Sequence, residues 1–489
     1  MDEKSTVAST DIEAGESQTQ ISRLPSWLVK LSSWGVELRG ISPVPLEERV
    51  DKHFINVLFV WTAANVNPFP IITGILGTFI FHLSLRDCSL VILFATLPLT
   101  VPPAYFCTFG SRTGLRQMIF SRYTFGYYLI SIVVLLNIAT LGGFAIIGMV
   151  LGGSTLSAVS DGHIDSTAGI VIIGLLALVV SFGGYKFLHQ FERYSWIIAL
   201  IAIVITTGVG GRELLKQSEQ PPASPATIVS FIGVIAGFMI PYAGLASDIS
   251  VYCDPSVSTL RIFSYTLAGL CIPSVPLMIL GAAIGGAIPN IDAWNEGYHL
   301  YSVGGVLEAM LKPAGGFGKL VAVLLALSLL GNLTVTIYPI TLNFQILLPF
   351  FARIPRMVFA IVYTAIGIPV AAVAAHSFFV SLENFIYLIA YWSGAYVGVI
   401  GVEHFVFRKA NPASYDPMNW NQPRKLPTGI SAVLAAGLSF GLVIPAASQV
   451  LYTGPIGATT GDLGFETALV LSSILYLPIR WLELKWRPV

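Results

Sequence analysis

From residue 54 onward the chain alternates long apolar runs with short polar stretches. A helix needs about 20 largely apolar residues to cross the hydrocarbon of a bilayer. By that measure the pattern predicts twelve membrane-spanning helices, near 54–81, 88–108, 127–152, 168–187, 194–211, 226–253, 261–288, 317–347, 356–375, 382–407, 428–449 and 464–484. The connections are short apart from 289–316 and 408–427. The expected fold is an all-α polytopic membrane protein.

Two of these runs are interrupted at their centres. Span one reads Trp61-Thr-Ala-Ala-Asn65-Val-Asn67-Pro68-Phe-Pro70, and span six reads Gly237-Phe-Met-Ile-Pro241-Tyr242-Ala-Gly244-Leu-Ala-Ser247-Asp248. Proline removes a backbone donor and clashes with the preceding turn, so each helix should break here. Freed backbone groups are tolerated at membrane depth only when buried in protein or lining a cavity. Two interrupted segments five helices apart are the pattern of a transporter made of inverted repeats. The reading is a five-plus-five inverted repeat with broken helices one and six, repeat one over 54–211 and repeat two over 226–407. Two extra C-terminal helices, 428–484, complete a transporter domain of residues 46–489.

Composition agrees. The 489 residues are 55% hydrophobic and 11% charged, with mean hydropathy +0.77, whereas soluble domains carry roughly a quarter charged residues. Net charge is zero, which points away from nucleic acid. Cys88, Cys107, Cys253 and Cys271 form no CxxC pair, so neither a metal site nor a disulfide framework is expected. Residues 1–45 are polar and rich in Ser, Thr, Gln and Glu, as in a disordered cytosolic tail. With both termini cytosolic, every Lys and Arg except Arg86, Arg212, Lys216, Lys312 and Lys319 falls on the cytosolic side, as the positive-inside rule asks. Small residues four apart (Gly148/Gly152, Gly233/Gly237, Gly281/Gly285, Gly394/Gly398, Gly437/Gly441) predict closely packed helices. No His-Glu-x-x-His, Gly-x-Ser-x-Gly or intramembrane carboxylate pair is present, which argues against a membrane enzyme. The paired breaks argue against a channel or receptor.

Longer motifs carry a family resemblance. Gly110-Ser-Arg112-Thr-Gly114-Leu-Arg116-Gln-Met-Ile-Phe-Ser121-Arg122-Tyr-Thr-Phe125-Gly126 resembles the loop after span two in nucleobase:cation symporter-1 proteins. Glu47-Glu48-Arg49 leading to Trp61-x-x-x-Asn65 is similar to the start of the fungal purine-cytosine permease branch. Gly184-Tyr-Lys186-x-x-His189-x-x-Glu192-Arg-Tyr194-Ser-Trp196, Leu382-Glu383-Asn384-Phe385 with Tyr391-Trp392, Glu403-His404-Phe, and Asn419-Trp420-Asn421-x-Pro423-x-Lys425-Leu-Pro427 follow in that branch's order. The resemblance implies a multi-pass plasma-membrane, proton-coupled importer of nucleobases such as cytosine, adenine, guanine or hypoxanthine. Its substrate would sit at mid-membrane between spans one, three, six, eight and ten.

The resemblance also nominates residues. Two stacking tryptophans of the family correspond here to Phe144 in span three and Tyr242 in span six, both still able to stack on a flat ring. An asparagine one turn after the first aromatic is here Gly148. An Asn-Asn-Ile-Pro-Asn cluster in span eight is here Asn332-Leu333-Thr334-Val335-Thr336. An amide both donates and accepts, a hydroxyl offers one donor and leucine none, so the substrate is either a nucleobase or another heterocycle, such as a vitamin B6-like pyridine or a specialised-metabolite ring. The candidate substrate-binding set is Asn65, Phe144, Tyr242, Asn332 and Thr336, with Asn67, Gly148 and Ser328 as pocket lining. Asn65 and Asn67 serve either as substrate contacts or as caps of broken backbone. Ser328 and Thr336, a turn either side of Asn332, either face the pocket or bond their own helix. Glu192 and Asp248 are candidates for proton coupling, against an interfacial ion-pair role for Glu192 and, for Asp248, a cap on the half-helix that follows it. No cofactor or metal is implied.

Overall fold

The computed structural model describes residues 40–182 and 185–487, with the side chains of 183–193 and Phe379 left out. The tail expectation for residues 1–39 and the side chains of Lys186, His189, Glu192 and Arg193 lie outside the described residues.

Every predicted span coincides with a helix or a broken helix. The order is α1 (Ile55–Asn65), α2 (Pro68–Ile75), α3 (Leu85–Thr113), α4 (Ile130–Val159), α5 (Ser166–Ser181), α6 (Tyr185–Gly210), α7 (Pro225–Met239), α8 (Ala246–Ser250), α9 (Thr259–Ala287), α10 (Asp292–Leu311), α11 (Gly315–Leu347), α12 (Arg356–Ala374), α13 (Phe378–Val402), α14 (Ile430–Ala446) and α15 (Gly464–Trp486). Eight described helical stretches are long and apolar enough to cross a membrane, and α1 with the α2 segment, bent by 52° at the break, makes a ninth. Shorter apolar helices at Ser166–Ser181, Tyr194–Gly210 and Ile430–Ala446 occupy the other predicted positions. Large exposed side chains such as Phe94, Ile201, Val373 and Ile474 point outward, as an apolar solvent requires.

Two stretches differ from the expectation of loops. Residues 292–311 form α10, broken at Tyr301 and Ser302 (φ 54° at Ser302). Val303, Val306, Leu307, Met310 and Leu311 are buried along it, a helical spacing masked in the sequence by the polar run Asn295–His299. The Gly110–Gly126 motif is no open loop either. Its first residues extend α3, and short helices at Gln117–Phe120 and Arg122–Phe125 lie buried. Gln117 Nε2 donates to Tyr396 Oη on α13 (2.9 Å), and its Oε1 accepts the Ser247 N–H on α8 (3.2 Å). The motif thus ties the end of α3 to α8 and α13.

Small residues explain the tightest crossings. A Cβ on Gly74 would collide with the Met278 carbonyl, and one on Gly281 with the Ile71 carbonyl, so α2 and α9 touch backbone to backbone. Thr78 Oγ1 adds a bond to the Ala282 carbonyl at 2.8 Å. Gly237 lies against the Ile386 carbonyl and Gly398 against that of Leu469. Gly437 and Gly441 depart from the expectation, because nothing lies within 4 Å of a Cβ added at either. They sit on α14 at the outside of the bundle, where the spacing has no partner helix among the described residues.

At the end of α13, Glu403 joins a buried ion cluster. It accepts from Arg408 Nε (2.9 Å), Arg480 Nε (3.0 Å) and Tyr476 Oη (2.8 Å). Arg480 Nη1 also meets Glu483 Oε2 at 3.0 Å, and Glu483 takes the Thr428 N–H and the Ser431 hydroxyl. These bonds fasten α14 and α15 onto α13.

Candidate functional site

The break in span one follows from Pro68. In a continuous helix its N–H would bond the Ala64 carbonyl, and proline has none. Two side-chain amides take that carbonyl instead: Asn67 Nδ2 at 2.8 Å and Asn332 Nδ2, from α11, at 2.9 Å. Asn67 Oδ1 accepts the Phe69 N–H at 2.9 Å and so caps α2, whose first residue is Pro68. Asn65 Nδ2 donates to the Trp61 carbonyl at 2.9 Å, while its Oδ1 accepts from Tyr242 Oη and Ser274 Oγ, each at 3.2 Å. Buried amides are costly unless paired. Here Asn67 and Asn332 replace the backbone bond that Pro68 removed, while Asn65 bonds within α1 and across to span six.

The break in span six faces it. Residues Ile240–Gly244 form a tight turn, and Leu245 has φ −137° and ψ −2°, outside the helical region. Tyr242 projects from this turn to Asn65. Its ring meets Trp61 edge-on (5.4 Å) and Phe238 edge-on (6.1 Å). Phe238 in turn meets Phe144 of α4 (6.3 Å), which also touches Phe69 (6.2 Å) and Phe385 of α13 (5.5 Å). Tyr242 and Phe144 are only half-buried, unlike Trp61, Phe69 and Phe238 around them. Edge-on packing leaves aromatic faces available to a flat ring.

Phe144, Tyr242, Asn65 and Asn332 are therefore brought together where the two breaks face each other. Thr336 and Ser328 bond their own helix, to the Asn332 carbonyl (2.7 Å) and the Leu325 carbonyl (2.6 Å), and Thr336 Oγ1 also approaches Asn332 Oδ1 at 3.4 Å. Gly148 belongs to an apolar wall: a Cβ there would lie 3.1 Å from both Leu333 and Phe69. Asp248 lies elsewhere, on α8, where its Oδ1 accepts the Gln117 N–H at 2.7 Å at the start of a short helix. The helix end it meets belongs to the Gly110–Gly126 motif and not to the half-helix of its own span. The Glu192 side chain is not among the described residues.

Sequence reasoning passed over several participants. Ser274, Phe69, Phe238 and Phe385 look like ordinary residues of apolar helices, and only the three-dimensional crossing exposes them. Asn137 did carry a signal, as an amide in the middle of span three. It is fully buried and donates to the Gly244 carbonyl at 3.1 Å. Chemically, the site offers aromatic faces beside a small cluster of amides and hydroxyls. It suits non-covalent capture of a planar ring. No group of three or more His, Cys, Asp or Glu able to hold a metal occurs among the described residues.

Comparisons with known proteins agree with this architecture. The family described as permease for cytosine/purines, uracil, thiamine, allantoin matches residues 43–422. A purine-cytosine permease of Emericella nidulans is 33% identical over 92% of this chain and 89% of its own length. A purine-cytosine permease of Saccharomyces cerevisiae is 32% identical over 94% and 89%. A vitamin B6 transporter of the same yeast is 25% identical over 94% and 90%. Among solved structures, Mhp1, a nucleobase-cation-symport-1 family transporter in a closed conformation with bromovinylhydantoin bound, shares the fold with TM-score 0.70. That match has 16% identity and covers 93% of this chain and 97% of Mhp1. The chain is thus a multi-pass membrane transporter rather than an enzyme, and it belongs to the family of permeases for cytosine/purines, uracil, thiamine and allantoin.

Proposed function

We propose that this permease carries a nucleobase or closely related planar heterocycle across the plasma membrane by alternating access, as a proton-coupled importer with both termini cytosolic. The observation that carries the reading is the bond from Tyr242 Oη to Asn65 Oδ1, which joins the two broken helices beside the half-buried ring of Phe144. A flat ring between Tyr242 and Phe144 would bury apolar faces while its polar edge meets Asn65 and Asn332. Twelve spans arranged as five-plus-five inverted repeats, with α14 and α15 added, are part of the proposal, since the two breaks then occupy equivalent positions. Glu192 and Asp248 are both kept as coupling candidates, Asp248 with its carboxylate accepting the Gln117 N–H.

The relatives named for purines and cytosine favour a nucleobase cargo. One observation favours a second reading. Leu333 and Phe69 pack against Gly148 and leave no room there for an amide side chain. A site with one amide fewer suits a less polar ring such as a vitamin B6-like pyridine, the named cargo of a 25% identical relative.

The test is uptake of labelled adenine, cytosine, uracil and pyridoxine in cells lacking their own carriers. Accumulation of one of them, abolished by a protonophore, supports the proposal. Absence of accumulation and of binding across the panel overturns it. Accumulation indifferent to the proton gradient overturns the coupling alone.

A further inference from the structure

Asn137 touches neither aromatic face of the site, yet it is built into the second break. Residues 240–244 form a tight helical turn that ends at Leu245, outside the helical region. Pro241 has no N–H to give, and the Leu245 N–H reaches back only to the Tyr242 carbonyl, at 3.2 Å. The Asp248 N–H, which would bond the Gly244 carbonyl in a continuous helix, goes to the Leu245 carbonyl at 3.0 Å instead. The Gly244 carbonyl is left without its helical partner at a depth where water cannot replace it. Asn137 Nδ2 supplies the donor, at 3.1 Å.

Two details make this a fitted contact. A Cβ on Gly244 would collide with Asn137 Oδ1 and lie 3.2 Å from Cγ, so the amide lies directly against the glycine backbone. Asn137 Oδ1 is itself buried without a hydrogen-bond partner, so the amide acts here through its donor. The arrangement mirrors the other break. There Asn332, on α11, donates to the Ala64 carbonyl of span one. Here Asn137, on α4, donates to the Gly244 carbonyl of span six. With each broken helix counted as one span, α4 is the third span from the first break and α11 the third from the second.

We infer that Asn137 is a positioning residue for substrate binding: by holding the Gly244 carbonyl it fixes the turn that presents the Tyr242 ring. The inference rests on the heterocycle-site reading for its affinity readout. Tyr242 lies two residues before Gly244, and its hydroxyl must reach Asn65 on the other broken helix. With the donor gone, the turn has to find another partner for its carbonyl, and the ring moves with it.

The experiment uses the full-length chain and labelled adenine, cytosine and pyridoxine. Asn137→Leu, close in volume and lacking the donor, should raise the apparent KM at least fivefold, with maximal rate and surface expression changed less than twofold. Gly244→Ala, which pushes the amide away, should reproduce that pattern. The decisive comparison is in a Tyr242→Ala background, where Asn137→Leu should add less than a twofold further rise, because the ring it positions is absent. Equal effects with and without the Tyr242 ring, or an unchanged KM in Asn137→Leu, overturn the inference.

A second readout needs no substrate. In a chain freed of its four native cysteines, a cysteine at position 242 should react with a small methanethiosulfonate at a rate changed at least threefold by Asn137→Leu. An unchanged rate overturns the inference even if none of the three heterocycles is transported. Transport failure in the wild type, with a changed cysteine rate, instead overturns the functional reading alone.

Discussion

Tyr242 and Asn65 stand on the two broken helices, and the Tyr242 hydroxyl donates to the Asn65 side-chain oxygen Oδ1 at 3.2 Å. The bond crosses from the first break to the second, so each break is held partly by the other. A neutral buried hydrogen bond of this kind contributes about 1 kcal/mol net, roughly a fivefold effect on an equilibrium. Asn65 Oδ1 keeps Ser274 as a donor when the phenol is lost. Tyr242→Phe should therefore raise the apparent KM for the transported heterocycle by no more than about fivefold. Tyr242→Ala, which also removes the ring, should cost at least tenfold, and Tyr242→Trp should tighten binding of flat bases. Equal kinetics in all three variants would make Tyr242 an ordinary core aromatic.

Asn332 has a double task. Its Nδ2 holds the Ala64 carbonyl, and its Oδ1 is within reach of Thr336. In Asn332→Ala the Ala64 carbonyl retains only the Asn67 amide. Losing a partner of a buried polar group costs about 1–3 kcal/mol. Uptake should fall more than tenfold while surface expression, measured by cell-surface labelling, stays normal. Unchanged affinity and rate would move the substrate site away from span eight.

Both breaks were legible in the chain because proline and asparagine are conspicuous among apolar residues, and the spans follow from hydropathy alone. The role of each amide was not legible. Asn65, Asn67 and Asn332 look equivalent in sequence, yet Asn67 caps α2 locally while Asn332 reaches a carbonyl 268 residues away. Helix crossings decide such pairings, and no local pattern encodes them. Asn137 was overlooked for the same reason, since its partner is the backbone of a glycine on another span. The α10 helix was hidden because polar residues precede its buried stripe. Gly437/Gly441 misled in the opposite direction: spacing reveals that a helix could pack closely, but not whether a neighbour is there.

The α2–α9 crossing makes a sharp demand. Gly74 and Gly281 each face a carbonyl of the opposite helix with no room for a methyl group. Overpacking a tight interior costs about 1–3 kcal/mol, and backbone atoms cannot rotate aside as a side chain would. Gly74→Ala and Gly281→Ala should each lower the yield of monodisperse protein on size-exclusion chromatography and lower its Tm. The double variant should be worse than either single one. By contrast, Gly437→Ala on α14 should leave both quantities unchanged, because its Cβ enters open space.

The buried cluster around Glu403 should behave as a stability element and not as a transport element. Glu403 and Arg480 are almost wholly enclosed and meet at 3.0 Å, with Arg408 and Tyr476 completing the carboxylate's partners. Two charges taken out of water repay their desolvation only when well paired, and removing one partner strands the other, at a cost of about 3–5 kcal/mol. Glu403→Gln should therefore lower the Tm of the purified protein strongly and reduce its amount in the membrane. Substrate affinity per folded molecule should be unchanged, since the cluster joins α13 to α14 and α15 at the end of the bundle. Replacing the pair together, Glu403→Leu with Arg480→Met, should cost less than the two single losses summed, because neither member of that pair is then stranded opposite the other, although Arg408 and Glu483 each still lose one ionic partner. A Tm loss in the double variant equal to the sum of the two single losses would show that the ions do not act as a unit.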